Sequence, residues 1–500
     1  MFDIFCFYIA VIFLSLCLLK WNKIISYVVF LFGSLLSLID FFSMQILNTH
    51  INLLVLSSVD LTVLKMAPKV VPGYFWGGIA VLILHFAIPI YLYRLYKNKW
   101  EAILSGNRKR ISLIVFCIAI IIAGSLYYNH QTAVAYKQVV KHSYNLYKNK
   151  DVSAAELMSR LGCKEKYPGI NEIHATAGKN IVIIYCESLE SNFLDTRQFP
   201  YETVKLNELS KKEMHLYSNY ECAFGSGWTI AALYSTQTGF PCLFGANKAK
   251  LGGNSALTNI HKTEAVSYAG VLSKAGYKNV FMSNSSLKFA GTGKLMTLFG
   301  YECRSWKSFG KQVSKTKWGV HDYDLFQAAK KQFLKLNERK QPFNLTLLTI
   351  DTHYPKGVPD SRLRNKINKK IPLNSHEYTV ASLDYLVDDF ITFIEKNSGD
   401  KETVIVILGD HLMHGNAKVT PIVKKLGAKP RKVLLMSNKK IRDFESDEKI
   451  AFYDIPGIIL NLAEIKTNAK FFKDLGASID SGFIEKNQDI FTLLNMRLCQ

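Results

Sequence analysis

The chain has 500 residues, 49% of them hydrophobic, and a formal net charge of +22. That length predicts two or three domains, and that charge predicts anionic partners. None of the nine cysteines lies in a CxxC pair, which argues against a zinc ribbon.

Four long apolar runs occupy the first 128 residues: Phe2–Leu19, Ile24–Ile46, Tyr74–Tyr93 and Ile111–Tyr128. Each is close to the roughly 20 residues that a helix needs to cross a bilayer core. The first run lacks a basic leader and a small-residue cleavage site and is followed by further runs, so it reads as a retained anchor. Lys20 and Lys23 lie between runs one and two. Arg94, Lys97, Lys99, Arg108, Lys109 and Arg110 lie between runs three and four. Only Lys65 and Lys69 lie between runs two and three. Positive loops stay in the cytoplasm, so everything after Tyr128 is expected outside it, in the periplasm or at the cell surface of a bacterium. Residues 1–128 hold ten Lys and Arg against four Asp and Glu, a net of +6 that leaves +16 for the remainder. A basic domain beside a membrane suits anionic lipid head groups. Its outward orientation argues against nucleic acid.

Residues 129–178 are polar and rich in Lys and Tyr, and read as a periplasmic linker. From Asn180 onward, apolar β-rich runs occur at 180–186, 278–283, 343–350, 403–408 and 432–437, with helical patterns between them. Buried strands alternating with helices predict an α/β fold, a sheet with helices on both faces. The catalytic domain is expected over 179–480, with 481–500 as a C-terminal tail. Cys222 and Cys242 bracket the segment around Thr229 and form a candidate disulfide.

In such sheets ligands bind at the carboxyl ends of the strands. Glu187 follows the first run, Asp351 and His353 follow the third, and Asp410, His411 and His414 follow the fourth. Glu187, Asp410 and His411 are donors suited to Mn²⁺, Mg²⁺ or Zn²⁺, and such a set leaves a coordination position open. Thr229, in "SGWTIAALYSTQTG", has two readings: a helix N-cap, or a nucleophile activated by a metal and by the positive end of a helix. Ser226 is the competing hydroxyl. Asp454 reads as a cap, Asp40 as an acid within an apolar run that reaches water or serves function, and His414 as either a neighbour of the metal or a solvated side chain.

The motifs "NIVIIYCESLES", "GWTIAALYSTQTGFPCL", "LKFAG", "WGVHDYDLF", "LTIDTHYPKG" and "VIVILGDHL" occur in that order within 179–465. On these the chain resembles the membrane-anchored phosphoglycerol transferases of the alkaline phosphatase/sulfatase superfamily. It is nearer to those that decorate periplasmic glucans than to lipoteichoic acid synthases. The resemblance implies an alkaline-phosphatase/sulfatase-like domain behind a four-helix transmembrane region in the bacterial inner membrane. It implies that Thr229 attacks phosphatidylglycerol, leaves a glycerophospho-threonine, and passes phosphoglycerol to a glycan. It implies a divalent metal, first of all Mn²⁺, on Glu187, Thr229, Asp410 and His411, with His353 as a proton shuttle or phosphate contact. Asn284, Lys288 and Phe289 fall in the loop expected to line the head-group pocket, and Trp318 and His414 are further candidate substrate contacts. Phe289 and Gly291 stand where lipoteichoic acid synthases carry Trp and Arg, which leaves phosphoethanolamine transfer as an alternative. A membrane-tethered phosphodiesterase and a non-catalytic scaffold are the other readings. "GWTIAAL" lacks the Pro and Arg of a sulfatase formylglycine motif, which argues against sulfate-ester hydrolysis.

Overall fold

A computed structural model describes residues 23–46 and 130–500, apart from 245–256, 259, 311, 416–419, 443, 477–479 and 500, together with scattered positions before residue 130. The chain divides into two units, Met1–Tyr144 and Asn145–Gln500. In the first, helix α1 (Lys23–Ile46) follows the second apolar run. Its Asp40 is buried and used locally: Oδ1 accepts from Ile51 N at 2.8 Å, and Oδ2 lies 2.9 Å from His50 Nδ1. Runs one and four fall largely outside the described residues, and run three is helical over its described stretch 75–84. Among the described residues no helix is long and apolar enough to cross a membrane.

The region read as a linker carries helix α2 (His130–Lys148) and helix α3 (Ala154–Arg160). Ser153 caps α3 by accepting from Glu156 N at 3.2 Å, and Leu157 and Met158 turn into the core of the second unit. So the expected linker is, in its later part, an integral piece of the domain.

Strands β1 (Asn180–Cys186), β2 (His215–Leu216), β3 (Lys278–Ser283), β4 (Glu302–Ser305), β5 (Phe343–Leu348), β6 (Thr403–Gly409) and β7 (Leu435–Ser437) form one sheet in the order β2-β7-β6-β1-β5-β3-β4. β6, β1, β5, β3 and β4 are parallel, while β7 runs antiparallel to β6 and β2 antiparallel to β7. Every residue of β1, β5 and β6 is buried, as a parallel strand covered on both faces requires. The register aligns Cys186 with Gly409, Tyr185 with Leu348, and Leu348 with Ser283. The loops after β1, β6, β5 and β3 therefore start side by side at one edge.

Alternation along β1 splits its side chains between the two faces. Val182, Ile184 and Cys186 join a core with helices α4 (Val204–Lys212), α8 (Asp322–Asn337) and α9 (His376–Asn397). The other face carries α5 (Thr229–Thr238), α6 (Tyr268–Lys274) and α11 (Ile455–Leu462); between these in sequence lie α7 (Thr292–Leu298) and α10 (Pro421–Leu426). Residues 230–238 of α5 are all buried. A polar network ties that helix to the sheet. Tyr185 OH lies 2.7 Å from Thr236 Oγ1, and Gln237 Nε2 donates to Tyr301 OH at 2.9 Å, which also accepts from Asn344 Nδ2 at 3.0 Å. A helix with no exposed face is oriented by such bonds rather than by amphipathicity.

Three sequence expectations change. The strand expected over 432–437 is short and antiparallel, because Val433 N and Leu434 N are taken by Tyr220 O and Leu189 O. The edge strands β2 and β4 carry polar residues with no apolar run to mark them. The expected tail folds as α12 (Ser481–Lys486) and α13 (Gln488–Leu498), and α13 packs into the domain beside α3. Asn495 on α13 is buried; its Nδ2 donates to Pro241 O and Leu243 O, and its Oδ1 accepts from Tyr234 OH. The Cys222–Cys242 bridge does not form. Both thiols are free, with Cys222 Sγ turned to Ser226 Oγ at 3.7 Å and Cys242 buried.

Asn495→Ala removes one bond each from two buried carbonyls and a tyrosine hydroxyl. It is expected to lower stability by about 2–3 kcal/mol in a denaturant titration of the domain; a loss under about 0.5 kcal/mol would show that α13 is dispensable.

Candidate metal centre and active site

Each residue of the site leaves a core element at the carboxyl edge of the sheet. Glu187 follows β1, Asp410 and His411 follow β6, and Thr229 opens α5. Gly409 precedes Asp410 because a Cβ there would lie 2.1 Å from Leu189 O. Gly225 turns the chain toward α5 with φ of +81°, where a Cβ would also meet Pro241 at 2.9 Å.

Glu187, Asp410 and His411 are buried, with ligand atoms all within 4.8 Å of one another. His411 Nε2 lies 3.5 Å from Glu187 Oε1 and 3.4 Å from Asp410 Oδ2. Its Nδ1 lies 2.9 Å from the carbonyl of Leu412. A carbonyl only accepts, so Nδ1 carries the proton and Nε2 presents a lone pair to the cluster. Asp410 Oδ1 accepts from Ser188 N at 2.7 Å, whereas Oδ2 is buried and has no hydrogen-bond partner. Burial pushes the Glu187 carboxyl up to about 7. Burial, and then the charge of Glu187, push Asp410 to about 7 as well. Two desolvated carboxylates, an imidazole lone pair and an orphaned oxygen converge on one point. This donor set fits a divalent cation.

Thr229 is not the helix cap. Trp228 occupies the N-cap position and Thr229 is the first helical residue. Its Oγ1 lies 3.4 Å from Glu187 Oε2 and 3.3 Å from His411 Nε2. The rival hydroxyl is spent: Ser226 Oγ donates to Ala223 O at 2.6 Å and is buried. The start of α5 adds positive potential where an incoming phosphate would sit.

Several residues support the cluster without a signal in the sequence. Ser188 holds φ of +53°, donates from Oγ to Glu187 Oε1 at 2.8 Å, and from N to Asp410. Thr349 Oγ1 accepts from Glu187 N at 3.0 Å, and Thr352 Oγ1 donates to Glu187 O at 2.5 Å. Buried Glu190 accepts from Arg431 and from Met413 N at 2.9 Å, pinning the loop after His411. Only the spacing of two glutamates in "CESLES" hinted at Glu190.

His353 is half-buried beneath Trp318, with ring centroids 4.3 Å apart. Its Nδ1 lies 2.7 Å from Tyr354 O, which leaves Nε2 as the acceptor, and burial lowers its pKa to about 4. The His414 ring lies 4.6 Å from that of His411, tilted by 35°, and burial above all lowers its pKa and holds it neutral. So His414 lies against the cluster through His411, while the contacts of His353 are with Trp318 and Tyr354. Asn284 is fully buried, with Nδ2 donating to Asp322 Oδ1 at 2.8 Å and to Val320 O at 2.9 Å, while its Oδ1 has no hydrogen-bond partner. Lys288 and Phe289 are exposed in the loop after β3. His321 and Asp322, at the start of α8, form a clamp with Asp351. Asp351 Oδ2 accepts from Asp322 N at 2.9 Å and faces His321 Nδ1 at 3.0 Å, while Asp322 accepts from Ile350 N and Asp351 N. Asp454 is a cap, accepting from Ala451 N at 2.8 Å.

The sulfatase family model matches residues 179–459. Phosphoglycerol transferase I of Xanthomonas campestris pv. campestris (strain B100) is 30% identical over 270 residues, covering 53% of this chain and 37% of that protein. Phosphoglycerol transferase I of Escherichia coli (strain SMS-3-5 / SECEC) is 30% identical over 248 residues, covering 47% and 31%. The chain thus spans about a third of the length of these curated relatives. Among solved structures, the lipoteichoic acid synthase LtaP from Listeria monocytogenes aligns with a TM-score of 0.49 at 18% identity, over 65% of this chain and 82% of that one.

Both carboxyls hold protons up to about pH 7 in the metal-free site, and a cation must displace them. Mn²⁺ affinity is therefore expected to fall about tenfold to a hundredfold per pH unit below 7 and to level off above it. Calorimetric titration at a series of pH values checks this, and an affinity flat with pH would contradict it. Asp410→Ala is expected to abolish binding.

Proposed function

The chain belongs to the sulfatase family, and we propose that within it this protein is a metal-dependent transferase that moves phosphoglycerol from phosphatidylglycerol to a glycan. The observation that carries the reading is Thr229 Oγ1, set at the start of a buried helix within 3.4 Å of both a carboxylate and an imidazole of a metal-type cluster. The 30% identity to phosphoglycerol transferases supports the transferred group. The four apolar runs and their loop charges support a place in a bacterial inner membrane, with the second unit facing outward.

Glu187, Thr229, Asp410 and His411 would hold the metal. When bound, it supplies positive charge that favours the Thr229 alkoxide and neutralises the phosphate. In the first step Thr229 Oγ1 attacks phosphorus and the bond to the diacylglycerol oxygen breaks. The threonine proton ends, overall, on diacylglycerol, and glycerophospho-threonine remains. In the second step a sugar hydroxyl attacks the same phosphorus and Thr229 Oγ1 leaves. His353, neutral and with Nε2 as the acceptor, takes the sugar proton. Its low pKa makes it a weak base alone, and the charge of a nearby phosphodiester raises it. The acceptor's proton ends on Thr229, so both halves balance. The clamp between Asp322 and Asp351 holds the loop that carries His353.

Detergent-purified full chain with Mn²⁺ and head-group-labelled phosphatidylglycerol is expected to release diacylglycerol and to carry a glycerophosphate mass on the Thr229 peptide. Thr229→Ala should lose the mass and at least about 10³ of the rate. A mutant that still releases diacylglycerol would refute the nucleophile. His353→Ala is expected to slow transfer by about 10²–10⁴ while the Thr229 adduct accumulates, read by mass spectrometry over time. A faster decay of the adduct would contradict its role as base. Labelled phosphatidylethanolamine, run in parallel, checks the head group.

A further inference from the structure

A cavity of about 410 Å³ opens along the first turns of α8, within the roughly 300–1,000 Å³ of small-ligand pockets. Tyr323, Gln327, Ala328 and Lys331 form one wall, at positions that share a helix face. Phe309 and Gln312, from the loop after β4, form the second wall. Arg362 closes the third side, with its guanidinium carbon 4.5 Å from the Tyr323 ring centroid.

Charge decides what the cavity can hold. Arg362 spends its donors on two carboxylates: Nη1 and Nη2 donate to Asp324 at 3.0 Å each, and Nε and Nη2 to Asp360 at 2.9 and 2.6 Å. Asp324 also accepts from Ser314 N at 3.1 Å. With Lys331, two cations stand against two carboxylates, so the cavity is close to neutral on a chain of net +22. A phosphate gains nothing there. Two aromatic rings and two side-chain amides suit a neutral molecule with apolar faces and many hydroxyls, which is a sugar. The Arg362 fork holds the walls in place before a ligand arrives.

The cavity is joined to the active site through its own walls. α8 starts at Asp322, which is bonded to Asp351, and Arg362 lies in the segment that continues from His353. We propose that this cavity seats a sugar residue of a neutral glycan acceptor, beside the loop that carries His353. The choice of a glycan rests on the reading above that a sugar hydroxyl receives phosphoglycerol.

The test uses the full chain in detergent with Mn²⁺ and a linear gluco-oligosaccharide as the probe, followed by saturation-transfer NMR and calorimetry. Wild type is expected to bind the oligosaccharide. Ala328→Trp, which fills the cavity, is expected to abolish that binding, and Gln327→Ala to weaken it about tenfold. Unchanged thermal unfolding and Mn²⁺ binding show that the variants are folded. Wild type that binds no oligosaccharide, or binding indifferent to both variants, overturns the proposal; inorganic phosphate competing for the cavity does so too. Diacylglycerol release by wild type is measured separately. Release without oligosaccharide binding sinks this inference alone, and cavity-dependent binding without release sinks the transferase reading alone.

Discussion

Glu187 and Asp410 leave two neighbouring parallel strands at the same level, and their carboxyls meet in a place that water does not reach. Two such groups repel each other and lack hydration, so the folded chain either keeps a proton on them or gathers a cation between them. Much else in the domain serves this one constraint. Ser188 and Thr352 fix the Glu187 carboxylate and its backbone, Leu412 O sets the tautomer of His411, and Asp410 keeps one oxygen free of any protein donor. The strain at Ser188, whose φ is +53°, is local to this arrangement.

The helix that carries Thr229 answers the same constraint from the other side. Its residues are buried all round, so hydrophobic patterning alone would leave its rotation undefined. Thr236 and Gln237 bond to groups standing on the sheet and set that rotation, which brings Thr229 Oγ1 to the carboxylates. C-terminal Asn495 holds the segment just after the helix. The Thr229 hydroxyl is thus positioned by residues on β1, β5 and α13, far apart in sequence.

The loops around the cluster differ in charge. Around the cluster, burial keeps His353 and His414 neutral, and the positive end of α5 faces the space for phosphate. Further along α8, Arg362 is neutralised by Asp324 and Asp360, so the cavity there does not compete for anions.

Strands β1, β3, β5 and β6 were legible as runs of apolar residues because a parallel strand is buried on both faces. The grouping of Glu187, Asp410 and His411 was legible because acids and imidazoles at strand ends break those runs. The place of Thr229 was not: a threonine before a helical pattern is equally a cap, and only the fold shows its Oγ1 within 3.4 Å of Glu187 and His411. The bond from Asn284 Nδ2 to Asp322 was not legible either, since a polar side chain looks the same in sequence whether it faces a ligand or a buried partner. The tail, the later part of the linker and the free Cys222 and Cys242 were likewise settled only in three dimensions. By itself the sequence determined which segments are buried and which residues can do chemistry, because burial and reactivity are properties of single side chains and their near neighbours. The tertiary structure alone decided which of them meet, because the bonds that bring Thr229, Glu187 and Asp410 together run between elements that no local pattern connects.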